Sequence, residues 1–82
     1  MPVAITLLSK PGCHLCDEAR EVVGRVVEGR DVELTELSIL EDAELRERYA
    51  EQIPVLLVDG RVHTIWRVDP ARLDGALAEA GA

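Results

Sequence analysis

The first half of the chain combines apolar runs of strand length with a segment of helical apolar period. Val3 to Leu8 is a nearly continuous apolar run, which favours a strand covered on both faces. From Cys13 to about residue 28, apolar residues recur at spacings of three and four, which predicts an amphipathic helix that ends at Gly29. Residues 32–37 partly alternate between apolar and polar side chains and predict a half-buried strand.

Two start signals for a short second helix lie close together in the middle of the chain. Asp42 is a candidate N-cap for a helix that carries Leu45 and Tyr49 on one side. Ser38 to Glu41 has the form of a competing capping box. The pattern alone leaves both starts open.

The second half of the chain indicates a hairpin followed by a helix. Pro54 to Val58 predicts another buried strand, and Asp59-Gly60 is a strong hairpin signal because both residues tolerate positive φ. Arg61 to Trp66 then forms the returning strand. Asp69-Pro70 opens the last helix, which ends at Gly81. The predicted fold is α/β, in the order β-α-β-α-β-β-α, with a four-stranded mixed sheet and flanking helices.

Length and charge narrow the class of protein. The 82 residues suffice for one domain, residues 1–82, and its core must be aliphatic because the chain has one Trp, one Tyr and no Phe. A formal charge of −7 argues against a nucleic-acid partner. No apolar run is long enough to cross a membrane, and the first residues do not resemble an export signal, so we expect a cytoplasmic protein.

The chain has two cysteines, Cys13 and Cys16, and their spacing points to chemistry. A bridge between them closes a loop of four residues, which stabilises a fold by only about 2 kcal/mol. The pair lies where a strand ends and a helix begins, and a helix N-terminus favours a thiolate, the species that attacks disulfides. We therefore expect Cys13, on the loop side, to be the nucleophile and Cys16, one turn later, to be the resolving thiol.

Two motifs resemble those of glutaredoxins. The segment Leu8-Ser9-Lys10-Pro11-Gly12-Cys13-His14-Leu15-Cys16, followed by Asp17-Glu18, is similar to the active-site loop of a bacterial glutaredoxin-like group with the pattern K-P-G-C-x-L-C. Ile53-Pro54-Val55 is placed like the cis-proline signature of thioredoxin-fold proteins. The resemblance covers essentially the whole chain, and it implies the thioredoxin fold and thiol–disulfide oxidoreductase activity.

The resemblance also implies roles for individual residues. Pro54 would be cis and face the cysteines, and the backbone of Ile53 would bind a thiol substrate; an ordinary trans proline at the start of a strand is the alternative. Lys10 matches a lysine that contacts a carboxylate of glutathione; a solvated loop residue is the alternative. His14, when protonated, would stabilise the thiolate of Cys13, or it could be a bystander.

The sequence departs from glutaredoxins after the hairpin. Thr64-Ile65 occupies the positions of a Gly-Gly pair that approaches glutathione, so tight glutathione binding is not expected. No Trp precedes Cys13, as one does in thioredoxins. The single Trp66 is interpreted as core packing, and His63 is placed on the hairpin surface.

Alternative functions remain open. Cys13, Cys16, His14 and His63 could nominally bind a metal, and some glutaredoxin relatives bind an iron–sulfur cluster, but a second closely spaced ligand pair is missing. A non-catalytic interaction module is the other alternative. For the redox function we expect a monomer without a prosthetic group. Its partners would be a disulfide-containing protein or a low-molecular-weight thiol, with a reductase or glutathione as the source of electrons.

Overall fold

The order of strands and helices agrees with the sequence analysis. The computed structural model describes residues 2–82, which form four strands and three helices: β1 (Val3–Ser9), α1 (His14–Val27), β2 (Val32–Ser38), α2 (Ala43–Tyr49), β3 (Val55–Val58), β4 (Arg61–Ile65) and α3 (Pro70–Glu79). The α/β class and the order β-α-β-α-β-β-α are thereby confirmed. The returning strand ends one residue earlier than expected, so Trp66 lies outside it.

The sheet is mixed and brings the end of β1 to its centre. The strand order is β2-β1-β3-β4, with β1 parallel to β2 and β3 antiparallel to both β1 and β4. The β3–β4 turn has φ values of 50° at Asp59 and 82° at Gly60, as a tight two-residue hairpin requires. Because β1 has a partner on each side, the loop that follows it leaves the sheet from a central strand.

Two aliphatic clusters hold the helices to the sheet. The first joins β1 and β3 to α1 and α3, and its buried residues are Val3, Ile5, Leu7, Ala19, Val23, Leu56, Leu73 and Leu77. The second cluster contains Leu8, Cys16, Ile39, Ile53 and Val55, with Leu45 and Tyr49 of α2 packed against it. The second cysteine of the pair is therefore part of the hydrophobic core.

Residues 32–37 lie in a strand as predicted, but the prediction that this strand is half-buried is wrong. The strand exists as β2, but its two leucines, Leu34 and Leu37, are 42% and 43% exposed. β2 is an edge strand, and no residue of β2 is among the buried members of either cluster. The alternation of its side chains reflects strand geometry, while the helices cover the neighbouring β1 and β3 instead.

Side-chain caps determine where the helices begin. Asp42 caps α2, with Oδ1 accepting from the backbone N–H groups of Glu44 and Leu45 at 2.9 and 3.2 Å. Ser38 caps a separate 3₁₀ turn, Ile39–Glu41, so both start signals in this region are used. Asp69 caps α3. Within residues 2–82, no helix has both the length and the apolar character needed to cross a membrane.

Candidate functional site

The two cysteines lie at the junction between the loop after β1 and the start of α1. Cys13 is the N-cap residue and is partly exposed, whereas Cys16 is completely buried. Their Cα atoms are 5.1 Å apart and their sulfur atoms are paired as a disulfide. The backbone N–H of Cys16 donates to Sγ of Cys13 at 3.2 Å. One sulfur thus faces the surface, and the other lies behind it in the core.

A network of hydrogen-bonded polar side chains connects the elements on the two sides of this junction. Ser9, the last residue of β1, is buried, and its hydroxyl donates to Oε2 of Glu36 at 2.8 Å. Arg20 of α1 donates to both carboxylate oxygens of Glu36, at 2.7 and 2.5 Å. It also donates to Asp17 at 2.8 Å. The network therefore joins the strand before the loop to the helix that carries the cysteines.

The charges in this network are mutually stabilised. The hydrogen bonds from Arg20, together with the one from Ser9, lower the pKa of Glu36 despite its partial burial. Glu36 and Asp17 in turn raise the pKa of Arg20. The negative charge of Asp17, which directly follows Cys16 in the chain, is thus compensated locally by a guanidinium group.

The segment before β3 lies against the cysteines from the other side. The peptide bond between Ile53 and Pro54 is cis, and both residues are buried. Ile53 belongs to the same packed cluster as Cys16, and Cys13 packs against that cluster. The structure therefore brings Ile53 and the cysteine pair together. Tyr49 contacts this cluster as well.

Lys10 and His14 are both exposed, and they lie on different parts of the junction. Lys10 lines a cavity of about 340 Å³ beside the loop, together with Asp17 and Arg20. His14 is the first residue of α1, and its Nε2 lies 3.7 Å from a carboxylate oxygen of Glu18. In the chain, Lys10 lies three residues before Cys13 and His14 directly follows it.

The interpretation of Trp66 as a core residue is wrong. Its side chain is 53% exposed, because its backbone turns out of β4 with φ of 67°. The backbone N–H of Trp66 donates to the carbonyl of Pro54 at 2.8 Å, and the indole Nε1–H donates to the carbonyl of Glu51 at 3.1 Å. These bonds fix the indole beside the segment that precedes β3.

The placement of His63 on the hairpin surface is also wrong. The residue is only partly exposed, and its Nε2 is buried with no hydrogen-bond partner within residues 2–82. Burial lowers the pKa of His63, and the positive charge of Arg72 lowers it further. His63 is in neither of the two packed clusters and is not part of the cluster that contains Cys16.

Thr64 and Ile65, at the positions where the sequence analysis expected a Gly-Gly pair in glutaredoxins, are the last two residues of β4. The hydroxyl of Thr64 donates to the carbonyl of Arg67 at 3.1 Å, and the side chain of Ile65 packs against the cluster that contains Cys16. Across residues 2–82, no three His, Cys, Asp or Glu side chains lie close enough together to hold a metal ion.

Sequence reasoning missed the polar network and the exposure of Trp66. Ser9, Arg20 and Glu36 are separated along the chain and meet only because β1 and β2 are parallel neighbours and α1 crosses the sheet. Their sequence carries no signal for this meeting. The sequence likewise gives no signal for the exposure of Trp66, because the predicted returning strand includes this residue.

Comparison with known proteins identifies the family. Residues 4–78 match the family described as "Glutaredoxin-like domain (DUF836)". An uncharacterized protein of Mycobacterium tuberculosis is 28% identical over 81 residues, covering 93% of this chain and 84% of that protein. The X-ray structure of protein XcR50 from X. campestris is 33% identical, with a TM-score of 0.75, and the match covers 92% of this chain and 96% of that one.

A solved structure with lower sequence identity identifies the fold. A mutant thioredoxin of Halobacterium salinarum is 21% identical, with a TM-score of 0.68, and the match covers 94% of this chain and 73% of that one. This similarity concerns the fold alone, which is that of thioredoxin. The match over residues 4–78 shows that this chain, with its four-stranded mixed sheet of thioredoxin fold, belongs to the glutaredoxin-like (DUF836) family.

Proposed function

We propose that the protein is a thiol–disulfide oxidoreductase in which Cys13 attacks and Cys16 resolves. The observation that carries this proposal is the difference in exposure of two sulfurs that are close enough to bond. Cys13 is partly exposed at the helix start, and Cys16 is completely buried behind it. A substrate disulfide can therefore collide with the first sulfur but not with the second.

The exchange proceeds in two steps. The thiolate of Cys13 attacks one sulfur of a substrate disulfide, forms a mixed disulfide with it and expels the other substrate sulfur as a thiolate, which takes up a proton. Cys16 then loses its proton and attacks Sγ of Cys13. This step forms the Cys13–Cys16 disulfide and releases the second substrate thiol. Two electrons pass from the protein dithiol to the substrate.

The surroundings of Cys13 support its role as the attacking group. Its sulfur accepts the N–H of Cys16, and it caps the positive end of the α1 dipole, two interactions that stabilise negative charge on sulfur. Lys10 adds positive charge where the substrate approaches Cys13, and His14 does so when it is protonated. Ile53, beside the cis Pro54, supplies backbone hydrogen bonds to the bound substrate.

The proposal names classes of partners. The substrate is a disulfide-containing protein or a low-molecular-weight disulfide in the cytoplasm, and the acidic surface favours a basic partner. The oxidised protein is recharged by two equivalents of a thiol such as glutathione or by a dithiol reductase. The chemistry requires no prosthetic group, and the protein acts as a monomer.

Turnover of a small disulfide tests the proposal. The wild-type protein should catalyse reduction of 2-hydroxyethyl disulfide with either glutathione or a thioredoxin-reductase system as reductant, and Cys13→Ser should reduce the rate to that of the reductant alone. Ser38→Ala, which removes a hydroxyl outside the cysteine pair, should retain activity. A wild-type rate equal to that of the reductant alone with both systems would reject the proposal.

A further inference from the structure

The outer side of β2 is an unpaired edge of the sheet. β2 pairs with β1 along all seven of its residues, and within residues 2–82 no strand pairs with its other side. The N–H of Val3 donates to the carbonyl of Asp31 at 3.1 Å. In the parallel hydrogen-bond pattern this bond assigns the odd-numbered residues of β2 to β1, so the backbone N–H and C=O groups of Leu34 and Glu36 point away from the sheet.

The two edges of the sheet differ in how they are protected. Edge strands are commonly kept from pairing with other chains by a bulge, a proline or a lysine. β4, at the opposite edge, has a register shift against β3, and the chain turns away after it at Trp66, with φ of 67°. β2 has no register shift, no Pro and no Lys. Its edge is therefore open to a further strand.

Exposed leucines lie along this edge on both faces of the sheet. Leu34 and Leu37 are an odd number of residues apart, so their side chains point to opposite faces, and both are exposed. Leu40 follows the strand and is exposed as well. Side chains on paired strands lie about 4.5–5.5 Å apart, so an added strand would cover both leucines of β2 from the side. Pairing would therefore bury apolar area in addition to satisfying backbone groups.

The charges around β2 determine which segment fits this edge. Residues 31–45 contain no Lys, Arg or His, and they include six acidic residues: Asp31, Glu33, Glu36, Glu41, Asp42 and Glu44. In the part of the chain that the structure describes, only Glu36 of these six forms an ion pair, with Arg20. A second copy of β2 would bring the same negative charges against this strand, and like charges on paired strands are destabilising. A basic strand is favoured instead.

We infer that β2 is the docking edge for an extended, basic segment of a partner protein, which adds to the sheet as a fifth strand. The backbone of this segment pairs with Leu34 and Glu36, and its apolar side chains cover Leu34 and Leu37. Its Lys or Arg side chains lie against the acidic residues of positions 31–45. The inference goes beyond the proposed function, because the edge contains neither cysteine and needs no redox step.

Peptides without cysteine test the docking edge. The probe alternates Val and Lys and has the length of β2, seven residues. One control has Glu in place of every Lys, and the other keeps all side chains but is N-methylated at every residue except the two at its ends. We expect the oxidised protein to bind the probe with a Kd below about 1 mM and each control about tenfold more weakly. In amide hydrogen exchange, the probe should slow exchange at Leu34 and Glu36 and leave β4 unchanged.

Leu34→Lys and Val62→Lys form a matched pair of variants, because each places a lysine at an exposed apolar position on one edge of the sheet. Leu34→Lys removes an apolar contact and adds a repelling charge to β2, so it should weaken binding of the probe about tenfold. Val62→Lys changes the net charge equally. β4 lies three strand spacings from β2, about 14 Å, and charges are screened over about 8 Å at 0.15 M salt, so Kd should stay within about twofold.

Three results would overturn the docking edge: equal binding of the probe and the N-methylated control, an equal loss in both variants, or no binding of the probe at millimolar concentration. Self-association of the protein alone that Leu34→Lys abolishes would overturn it as well, because a second copy would then occupy β2. Reduction of 2-hydroxyethyl disulfide does not depend on this edge. Failure of the wild-type protein in that assay would therefore reject the proposed function and leave the docking edge intact.

Discussion

The hydrogen bond from Ser9 to Glu36 is predicted to stabilise the junction that carries the cysteines. Ser9→Ala deletes a bond of 2.8 Å from a buried hydroxyl to a carboxylate. Hydrogen bonds to charged groups typically contribute about 1.5–3 kcal/mol. The side chain of Glu36 is 35% exposed, so water can partly replace the lost donor. We therefore expect the lower end of this range, about 1.5 kcal/mol.

Urea denaturation of the oxidised protein at pH 7, followed by circular dichroism, measures this loss. The same loss should appear in thermal unfolding. In a domain of this size a change of 1 kcal/mol shifts Tm by about 4–8 °C, so Ser9→Ala should lower Tm by roughly 6–12 °C. Ser38→Ala is the matched control. Within residues 2–82, its hydroxyl oxygen accepts only the N–H of Leu40, at 3.2 Å, so its loss should cost less, about 0.5–1 kcal/mol.

A double-mutant cycle with Glu36→Gln isolates the bond itself. Ser9→Ala should cost less in the Glu36→Gln background, because the charged acceptor is already gone. The reasoning fails if Ser9→Ala leaves the free energy of unfolding within about 0.5 kcal/mol of the wild-type value, the size of ordinary surface substitutions. It also fails if the cost is the same in both backgrounds.

Three further predictions concern stability and are checked by the same denaturation assay. Folding lowers the pKa of His63 from 6.5, so the unfolded chain binds a proton at a higher pH than the folded protein does. The free energy of unfolding should therefore be at its full value above about pH 6.5 and fall as the pH drops through the lowered pKa. His63→Gln should remove this dependence between pH 6.5 and 5, and an unchanged slope would contradict it. Asp69→Ala removes the cap of α3 and should cost about 1 kcal/mol, whereas a change below about 0.3 kcal/mol would contradict the capping role. Gly60→Ala, at φ of 82°, should cost about 1–2 kcal/mol. Gly75→Ala, inside α3 with open space around it, should stabilise by about 0.5–1 kcal/mol, and the same sign for both glycines would refute this assignment.

The elements of the fold could be predicted because their signals are local. The apolar run of β1, the apolar period of α1 and the Asp59-Gly60 turn each correspond to an element of the structure. The caps at Asp42 and Asp69 were readable for the same reason, since a cap acts within its own first turn.

What could not be predicted depends on how the elements pack. The exposure of β2 follows from its place at the edge of the sheet, which no pattern within residues 32–38 reveals. The outward turn of Trp66 depends on neighbours that are distant in sequence. The network of Ser9, Arg20 and Glu36 likewise joins three elements, so it can be recognised only in the folded structure.

Trapping of the reaction intermediate tests most directly whether Cys13 attacks the substrate and Cys16 resolves the mixed disulfide. Each reduced single-cysteine variant is mixed with a peptide disulfide and examined by intact mass spectrometry. Cys16→Ser should accumulate a mixed disulfide on Cys13, because the exposed sulfur can attack but nothing resolves the product. Cys13→Ser should accumulate none, because Cys16 is completely buried. Trapping on Cys16 but not on Cys13 would contradict the proposed mechanism.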